Sequence, residues 1–126
     1  MRSLFVNQEQ DLVRWVWASE NEGQLAERYD EWAETYEADL DRDFGWYGPI
    51  RAVESTIRYV KKDCRILDAG AGTGLVGKLL AKRGFDNLVA MDLSAGMLEE
   101  ARKKNVYTEF YQVIMGTPPK LPIRLL

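Results

Sequence analysis

The feature that most constrains the fold is a run of alternating glycines directly after a short apolar segment. Residues 64–69 (CRILDA) have the length and composition of a buried parallel strand, and Gly70, Gly72 and Gly74 follow them. Glycine tolerates positive φ angles and leaves the backbone bare, so such a loop turns sharply and lets a ligand approach the main chain. Helically spaced apolar residues come next: Leu75, Val76, Leu79 and Leu80. The loop therefore joins a strand to a helix N-terminus.

Strand and helix signals alternate through the rest of the chain. Residues 87–92 (NLVAMD) predict a second strand, and Ser94 can cap the helix after it. Residues 109–115 (EFYQVIM) predict a third strand, although their period also suits a helical turn. Such alternation implies right-handed crossovers onto a parallel sheet that binds ligands at the carboxyl ends of its strands. The predicted fold class is α/β, an incomplete Rossmann-like parallel sheet of about three strands with flanking helices.

The first half of the chain has helical patterns. Residues 7–21 predict one helix. Large side chains recur every three or four residues in the next segment and predict a single helix with one aromatic stripe: Leu25, Tyr29, Trp32, Tyr36 and Leu40. A turn follows, and Pro49 suits the first turn of another helix. We therefore divide the chain into an N-terminal helical cap, residues 1–63, and a partial Rossmann-like segment, residues 64–126, within one domain overall.

Composition excludes several kinds of function. The 126 residues include no histidine, which excludes His-dependent nucleophiles and His-based metal sites, and we predict no metal. They include one cysteine, which excludes an internal disulfide. We expect Cys64 to be buried and the protein to be cytoplasmic, because a lone cysteine suits a reducing compartment. The net charge of −3 predicts no nucleic-acid partner, and Lys61-Lys62 and Arg102-Lys103-Lys104 have the pattern of solvated helix ends. No apolar run approaches a membrane span.

Two carboxylates flank the glycine loop. Asp68 ends the first strand, and Asp92 ends the second, where it can accept hydrogen bonds from two ribose hydroxyls. The arrangement predicts a nucleoside pocket, since a turn without a ligand needs only one or two glycines. Gly72, Gly74 and Gly77 also fit the dinucleotide fingerprint, which leaves a fragment of an NAD(P)-dependent oxidoreductase open. Asp68 favours a cationic adenosine ligand, because its repulsion of a pyrophosphate would cost on the order of several kcal/mol.

The segments ILDAGAGTG and MDLSAGMLEEA resemble the first two motifs of class I S-adenosylmethionine-dependent methyltransferases. Upstream, YDEWAETYEADL and WYGPIRAVE resemble the N-terminal helices of a subgroup, the methyltransferase-like proteins named after the Williams-Beuren chromosomal region. The resemblance implies that residues 64–126 bind S-adenosylmethionine and that the protein transfers its methyl group to an acceptor, a small molecule or a protein, which the motifs do not identify.

The resemblance also implies a set of cofactor-binding residues. In chain order these are Tyr29, Tyr36, Asp68, Gly70, Ala71, Gly72, Gly74, Asp92, Leu93 and Met97. The backbone of residues 70–72 approaches the methionyl portion, with Asp68 near its ammonium group, and Asp92 holds the ribose hydroxyls. Leu93 and Met97 pack on the adenine.

The aromatic residues of the N-terminal half have separate expected roles. Tyr29 and Tyr36 close over the methionine end of the donor, as the resemblance implies. Trp32 is expected to serve packing. Trp46, in the turn before Pro49, is a candidate wall on the acceptor side.

A complete domain of this family has about seven strands, so the chain is expected to be truncated at its C-terminus. Losing the fourth strand would leave one edge of the first strand unpaired, and an unpaired edge favours self-association. An alternative is therefore that the short chain is a catalytically inactive binding or interaction module.

Overall fold

The computed structural model describes residues 8–44 and 47–114. In chain order the elements are α1 (Gln8–Trp17), α2 (Glu22–Trp32), α3 (Tyr36–Phe44), α4 (Gly48–Tyr59), β1 (Ile66–Ala69), α5 (Leu75–Lys82), β2 (Leu88–Asp92), α6 (Ala95–Arg102) and β3 (Tyr107–Gln112).

The three strands form one parallel sheet in the order β1-β2-β3. Ile66 of β1 lies opposite Leu88 of β2, and Asp92 at the end of β2 lies opposite Gln112 of β3. The carboxyl ends of all three strands therefore meet at one edge of the sheet. The predicted α/β class, with an incomplete Rossmann-like sheet, is confirmed.

The central strand β2 is buried because helices pack over it. Its residues Leu88, Val89 and Ala90 are buried, as a continuous apolar run in a parallel sheet requires. The core around it draws on α4, α5, α6 and β3. Its buried members are Val53, Ala71, Leu80, Phe85, Leu88, Ala90, Leu98, Ala101 and Tyr107.

The single helix predicted for the aromatic stripe is wrong, because the stripe is divided between α2 and α3. The amide of Thr35 donates to the carbonyl of Trp32 at 3.2 Å, which closes a tight turn between the two helices. The Trp32 indole N–H donates to Asp39 at 2.8 Å across this turn. The expected packing role of Trp32 is confirmed, since it is 4% exposed and forms a second core cluster with Val16 and Leu40.

Several element boundaries also differ from the predicted ones. The first strand begins at Ile66 rather than Cys64, because the Cys64 amide closes a turn onto the carbonyl of Lys61. Cys64 is exposed, so its predicted burial is wrong. The third strand begins at Tyr107 rather than 109, because Tyr107 pairs with Leu88 at the start of β2. Trp46 and residue 115 of the predicted strand lie outside the described residues.

No helix formed by residues 8–44 or 47–114 has the length and hydrophobicity that a membrane span requires. The same residues contain no cluster of three or more histidine, cysteine, aspartate or glutamate side chains that could hold a metal ion.

Candidate functional site

The loop between β1 and α5 presents bare backbone to open space. Gly70 and Gly72 have φ angles of 73° and 56°, a conformation that side-chain-bearing residues rarely adopt. The amides of Gly70 and Ala71 both donate to the carbonyl of Met91, at 2.8 and 2.9 Å, which fastens the loop to the end of β2. A Cβ atom on Gly70 or Gly72 would meet no atom of the described residues within 4 Å. A ligand can therefore approach the main chain there, as the sequence predicted.

Two backbone amides fix the Asp92 carboxylate, and one of them belongs to this loop. One carboxylate oxygen accepts from the Gly72 amide at 2.9 Å, and the other accepts from the Ser94 amide at 3.0 Å. A carboxylate oxygen has two lone-pair sites. Both oxygens thus keep acceptor capacity for the hydroxyls of a ribose, at the position where the sequence predicted that contact.

Gly74 and Gly77 serve a different purpose from the first two glycines. A Cβ on Gly74 would lie 2.9 Å from the Cα of Ala101, and one on Gly77 would lie 2.2 Å from the Tyr107 ring. These two glycines let α5 pack closely on α6 and β3. Gly74 was predicted among the cofactor-binding residues, and in the structure it packs inward.

Asp68 contacts a residue that the sequence analysis did not connect with it. Its carboxylate accepts a hydrogen bond from the Tyr107 hydroxyl at 2.6 Å, and that hydroxyl accepts one from the Gly77 amide at 3.1 Å. Burial raises the pKa of Asp68, the Tyr107 bond opposes the rise, and the charge of Asp92 adds to it. A cation near Asp68 would therefore stabilise its ionised form, which fits the predicted contact with an ammonium group.

Tyr29 and Tyr36 lie together on the side of Asp92. Their ring centroids are 6.5 Å apart in an edge-on arrangement. Burial raises the pKa of both phenols, that of Tyr36 to about 12, and the charge of Asp92 contributes to each rise. Both residues are thus protonated at neutral pH, so they can donate hydrogen bonds but are unsuited to act as bases.

The two residues predicted to pack on adenine differ in accessibility. Leu93 is half-buried just after β2, and its carbonyl accepts a hydrogen bond from Gln112 at 3.2 Å. Met97, in α6, is 2% exposed. Of the two, Leu93 presents more surface to a ligand beside Asp92.

The N-terminal helices join the site through acidic residues that the sequence analysis assigned no role. Glu37 of α3 accepts a hydrogen bond from the Thr73 hydroxyl at 2.7 Å and pairs with the Lys104 ammonium at 2.8 Å. The prediction that Lys104 lies at a solvated helix end is wrong, because its side chain reaches this carboxylate and is 16% exposed. The hydrogen-bonded partners Glu37 and Thr73 stand 36 positions apart in the sequence, so no local pattern marks them.

A second carboxylate fastens α2 to the start of α6. Asp30 accepts hydrogen bonds from the Gly96 amide at 2.7 Å and from the Ser94 hydroxyl. Ser94 also caps the helix as predicted, because its oxygen accepts from the Met97 amide at 3.1 Å. Leu93 thus lies between two residues, Asp92 and Ser94, whose side chains are both held by hydrogen bonds.

A parallel sheet with bare glycine backbone after β1 and a carboxylate at the end of β2 is the arrangement typical of Rossmann-like proteins that bind nucleosides. The comparisons with known proteins narrow this class. Residues 66–122 match the family described as a methyltransferase domain.

Three curated proteins are among those similar to the chain. It is 33% identical over 94 residues to methyltransferase-like protein 27 of Homo sapiens, which covers 72% of the chain and 38% of that protein. It is 35% identical over 105 residues to malonyl-[acyl-carrier protein] O-methyltransferase of Priestia megaterium, and this match covers 82% of the chain and 37% of that protein. It is 33% identical over 79 residues to protein arginine N-methyltransferase 7 of Rattus norvegicus, and this match covers 60% of the chain and 11% of that protein.

Residues 66–122 match a methyltransferase domain and these three similar proteins are methyltransferases, which supports the resemblance to class I S-adenosylmethionine-dependent methyltransferases that the two motifs indicated. The chain spans less than half the length of each of these three relatives. No solved structure matches it significantly. The comparisons give no support to the oxidoreductase alternative.

Proposed function

We propose that the chain binds S-adenosylmethionine and forms the cofactor-binding part of a methyltransferase. The observation that carries the proposal is the 2.9 Å hydrogen bond from the Gly72 amide to Asp92. It holds a carboxylate suited to a ribose directly beside backbone that, among the described residues, no side chain covers. The family match supports the same donor.

Each group around this bond has a proposed part in holding the donor, which supplies a methyl group activated by its sulfonium. Asp92 accepts the ribose hydroxyls, and Asp68 attracts the ammonium group. The open backbone of residues 70–72 contacts the methionyl portion, and Tyr29 and Tyr36 cover it. Because alignment and exclusion of water are the main requirements of an in-line methyl transfer, no protein nucleophile is needed.

Isothermal titration calorimetry with S-adenosylhomocysteine tests the donor site directly. We expect the unaltered chain to bind it and Asp92→Ala to bind at least about tenfold more weakly, because hydrogen bonds to a charged group contribute about 1.5–3 kcal/mol each. Asp92→Asn, which keeps one acceptor oxygen for the loop, provides a second variant if the alanine variant is unstable. Asp86→Ala is the matched control, since it removes an exposed carboxylate just before the opposite end of β2.

Two results would contradict the proposal. One is an absence of heat with S-adenosylhomocysteine when the chain is folded by circular dichroism. The other is tighter binding of NADH than of S-adenosylhomocysteine, which would favour the dinucleotide alternative. Equal affinities for Asp92→Ala and Asp86→Ala would remove Asp92 from the site.

Two further expectations stay predictions with simple tests. Among the described residues β1 pairs only with β2, and we propose that the other edge of β1 supports self-association. Sedimentation velocity that shows only monomer across a concentration series would contradict this.

A cytoplasmic location, inferred from the lone cysteine, is tested by cell fractionation.

A further inference from the structure

We propose that Glu37 is a positioning residue for the methyl donor, because it fixes the glycine loop through Thr73 and Lys104. The inference rests on the proposed donor site and adds to it a residue of the N-terminal helices. We refer to Glu37, Thr73 and Lys104 as the loop clamp.

The loop clamp is a closed set of three polar contacts. Glu37 accepts from the Thr73 hydroxyl at 2.7 Å and pairs with the Lys104 ammonium at 2.8 Å. The Lys104 ammonium also donates to the Thr73 carbonyl at 3.0 Å. Thr73 is therefore held by its side chain and by its backbone at once, from α3 and from the turn that follows α6.

The place of Thr73 in the loop gives these contacts their importance. It lies between Gly72 and Gly74, both of which have positive φ angles. Glycines permit many backbone conformations, so the loop on its own would lose much entropy on adopting a single one. Thr73 is 2% exposed, and holding it restricts the glycine on either side. The adjacent Gly72 amide is the one that donates to Asp92.

The surroundings make the clamp stronger than an ordinary surface ion pair. The Lys104 side chain is 16% exposed and that of Glu37 is 36% exposed, so water competes only in part for their charges. Charge-assisted hydrogen bonds are about twice as strong as neutral ones. Loss of the clamp should leave the loop less ordered before the donor arrives, and the donor would then have to order it at a cost in affinity.

Hydrogen exchange in the donor-free protein tests the clamp itself. We expect Glu37→Ala to speed exchange of the Gly72 to Gly74 amides by about tenfold, which corresponds to about 1.4 kcal/mol, with the helices unchanged. Glu37→Gln keeps an acceptor for Thr73 and should give an intermediate rate. Glu54→Ala is the matched control, because it removes an exposed ion pair with Arg83 far from the loop and should leave these amides unaltered.

Calorimetry with S-adenosylhomocysteine, performed well below the melting temperature, tests the consequence for the donor. We expect Glu37→Ala to bind roughly tenfold more weakly than the unaltered chain, with Glu37→Gln in between and Glu54→Ala unchanged. Val53→Ala destabilises the core without touching the clamp. It should lower the melting temperature and leave donor affinity intact, which separates positioning from general loss of stability.

The outcomes distinguish the clamp from the donor site. If the unaltered chain does not bind S-adenosylhomocysteine, the proposed function fails, and the exchange rates alone still decide whether the clamp orders the loop. If the unaltered chain binds and Glu37→Ala binds equally well, the positioning role is overturned, even where exchange is faster. Should Glu37→Ala not fold, Glu37→Gln and Lys104→Met carry both measurements with the same expected directions.

Discussion

Gly77 gives the sharpest test of how the site is built, because a single methyl group there has no room. A Cβ atom on Gly77 would lie 2.2 Å from both the Cζ and the hydroxyl oxygen of Tyr107. Tyr107 cannot simply swing away, since its hydroxyl is bonded to Asp68 and to the Gly77 amide. Gly77→Ala should therefore displace α5 or the ring and disturb the contact that holds Asp68.

The expected change in the free energy of unfolding is the sum of two destabilising contributions and one stabilising contribution. Overpacking a close contact costs about 1–3 kcal/mol. Loss of the amide bond to Tyr107 adds about 1 kcal/mol. Alanine inside a helix recovers about 1 kcal/mol relative to glycine. The net loss is about 1–3 kcal/mol in the free energy of unfolding, which lowers the melting temperature of a domain this size by about 4–12 °C.

Thermal and urea melts of matched variants provide the assay. Gly23→Ala is the control, because Gly23 is also helical but exposed, and its Cβ would meet only the end of the Asn21 side chain at 3.3 Å. Because that Asn21 oxygen also caps α2 by accepting from the Gln24 amide at 2.8 Å, Gly23→Ala should change the melting temperature by less than Gly77→Ala does. In a Tyr107→Leu background the cost of Gly77→Ala should largely disappear. A Gly77→Ala variant that melts like Gly23→Ala would refute the reasoning.

Three other substitutions test separate contacts. The pKa of Asp68 is raised in the folded protein, so its ionisation lowers the free energy of unfolding as pH rises from the ordinary pKa of 3.8 through the folded value. Asp68→Asn should therefore melt at a higher temperature than the unaltered chain at neutral pH, and it should bind the donor more weakly. Thermal melts across pH 3–7 and calorimetry check these two results. Ser94→Ala removes a helix cap and a bond to Asp30, and should cost about 2 kcal/mol in urea unfolding. Arg65→Ala breaks an exposed pair with Glu109 and should change stability by less than about 0.5 kcal/mol in the same assay; a larger loss would show the pair to be structural.

The parts of the site that follow from local pattern were predictable. The apolar run before Gly70 and the glycines themselves determine a strand, a sharp turn and a helix N-terminus, because each depends on neighbouring residues. Asp92 follows in the same way from its place at the end of the next strand. Parallel pairing of β1 with β2 then brings the Gly72 amide to Asp92.

Other features required contacts between distant segments. The hydrogen bond from the Trp32 indole to Asp39 spans the break between α2 and α3, whereas helical periodicity alone favoured a continuous helix through Tyr36. The partner of Asp68 is Tyr107, 39 positions away, which also explains why Gly77 is a glycine. No pattern within either segment records the pairing.

The sequence by itself determined the α/β class, the bare loop and the carboxylate at the end of β2, since periodicity, glycine and strand ends act over a few residues. Only the tertiary structure decided that Gly74 packs inward and that Glu37 and Lys104 hold Thr73. Acidic and basic side chains look alike in a sequence whether they meet water or each other. Which of these side chains contact each other depends on how the helices pack in the folded protein.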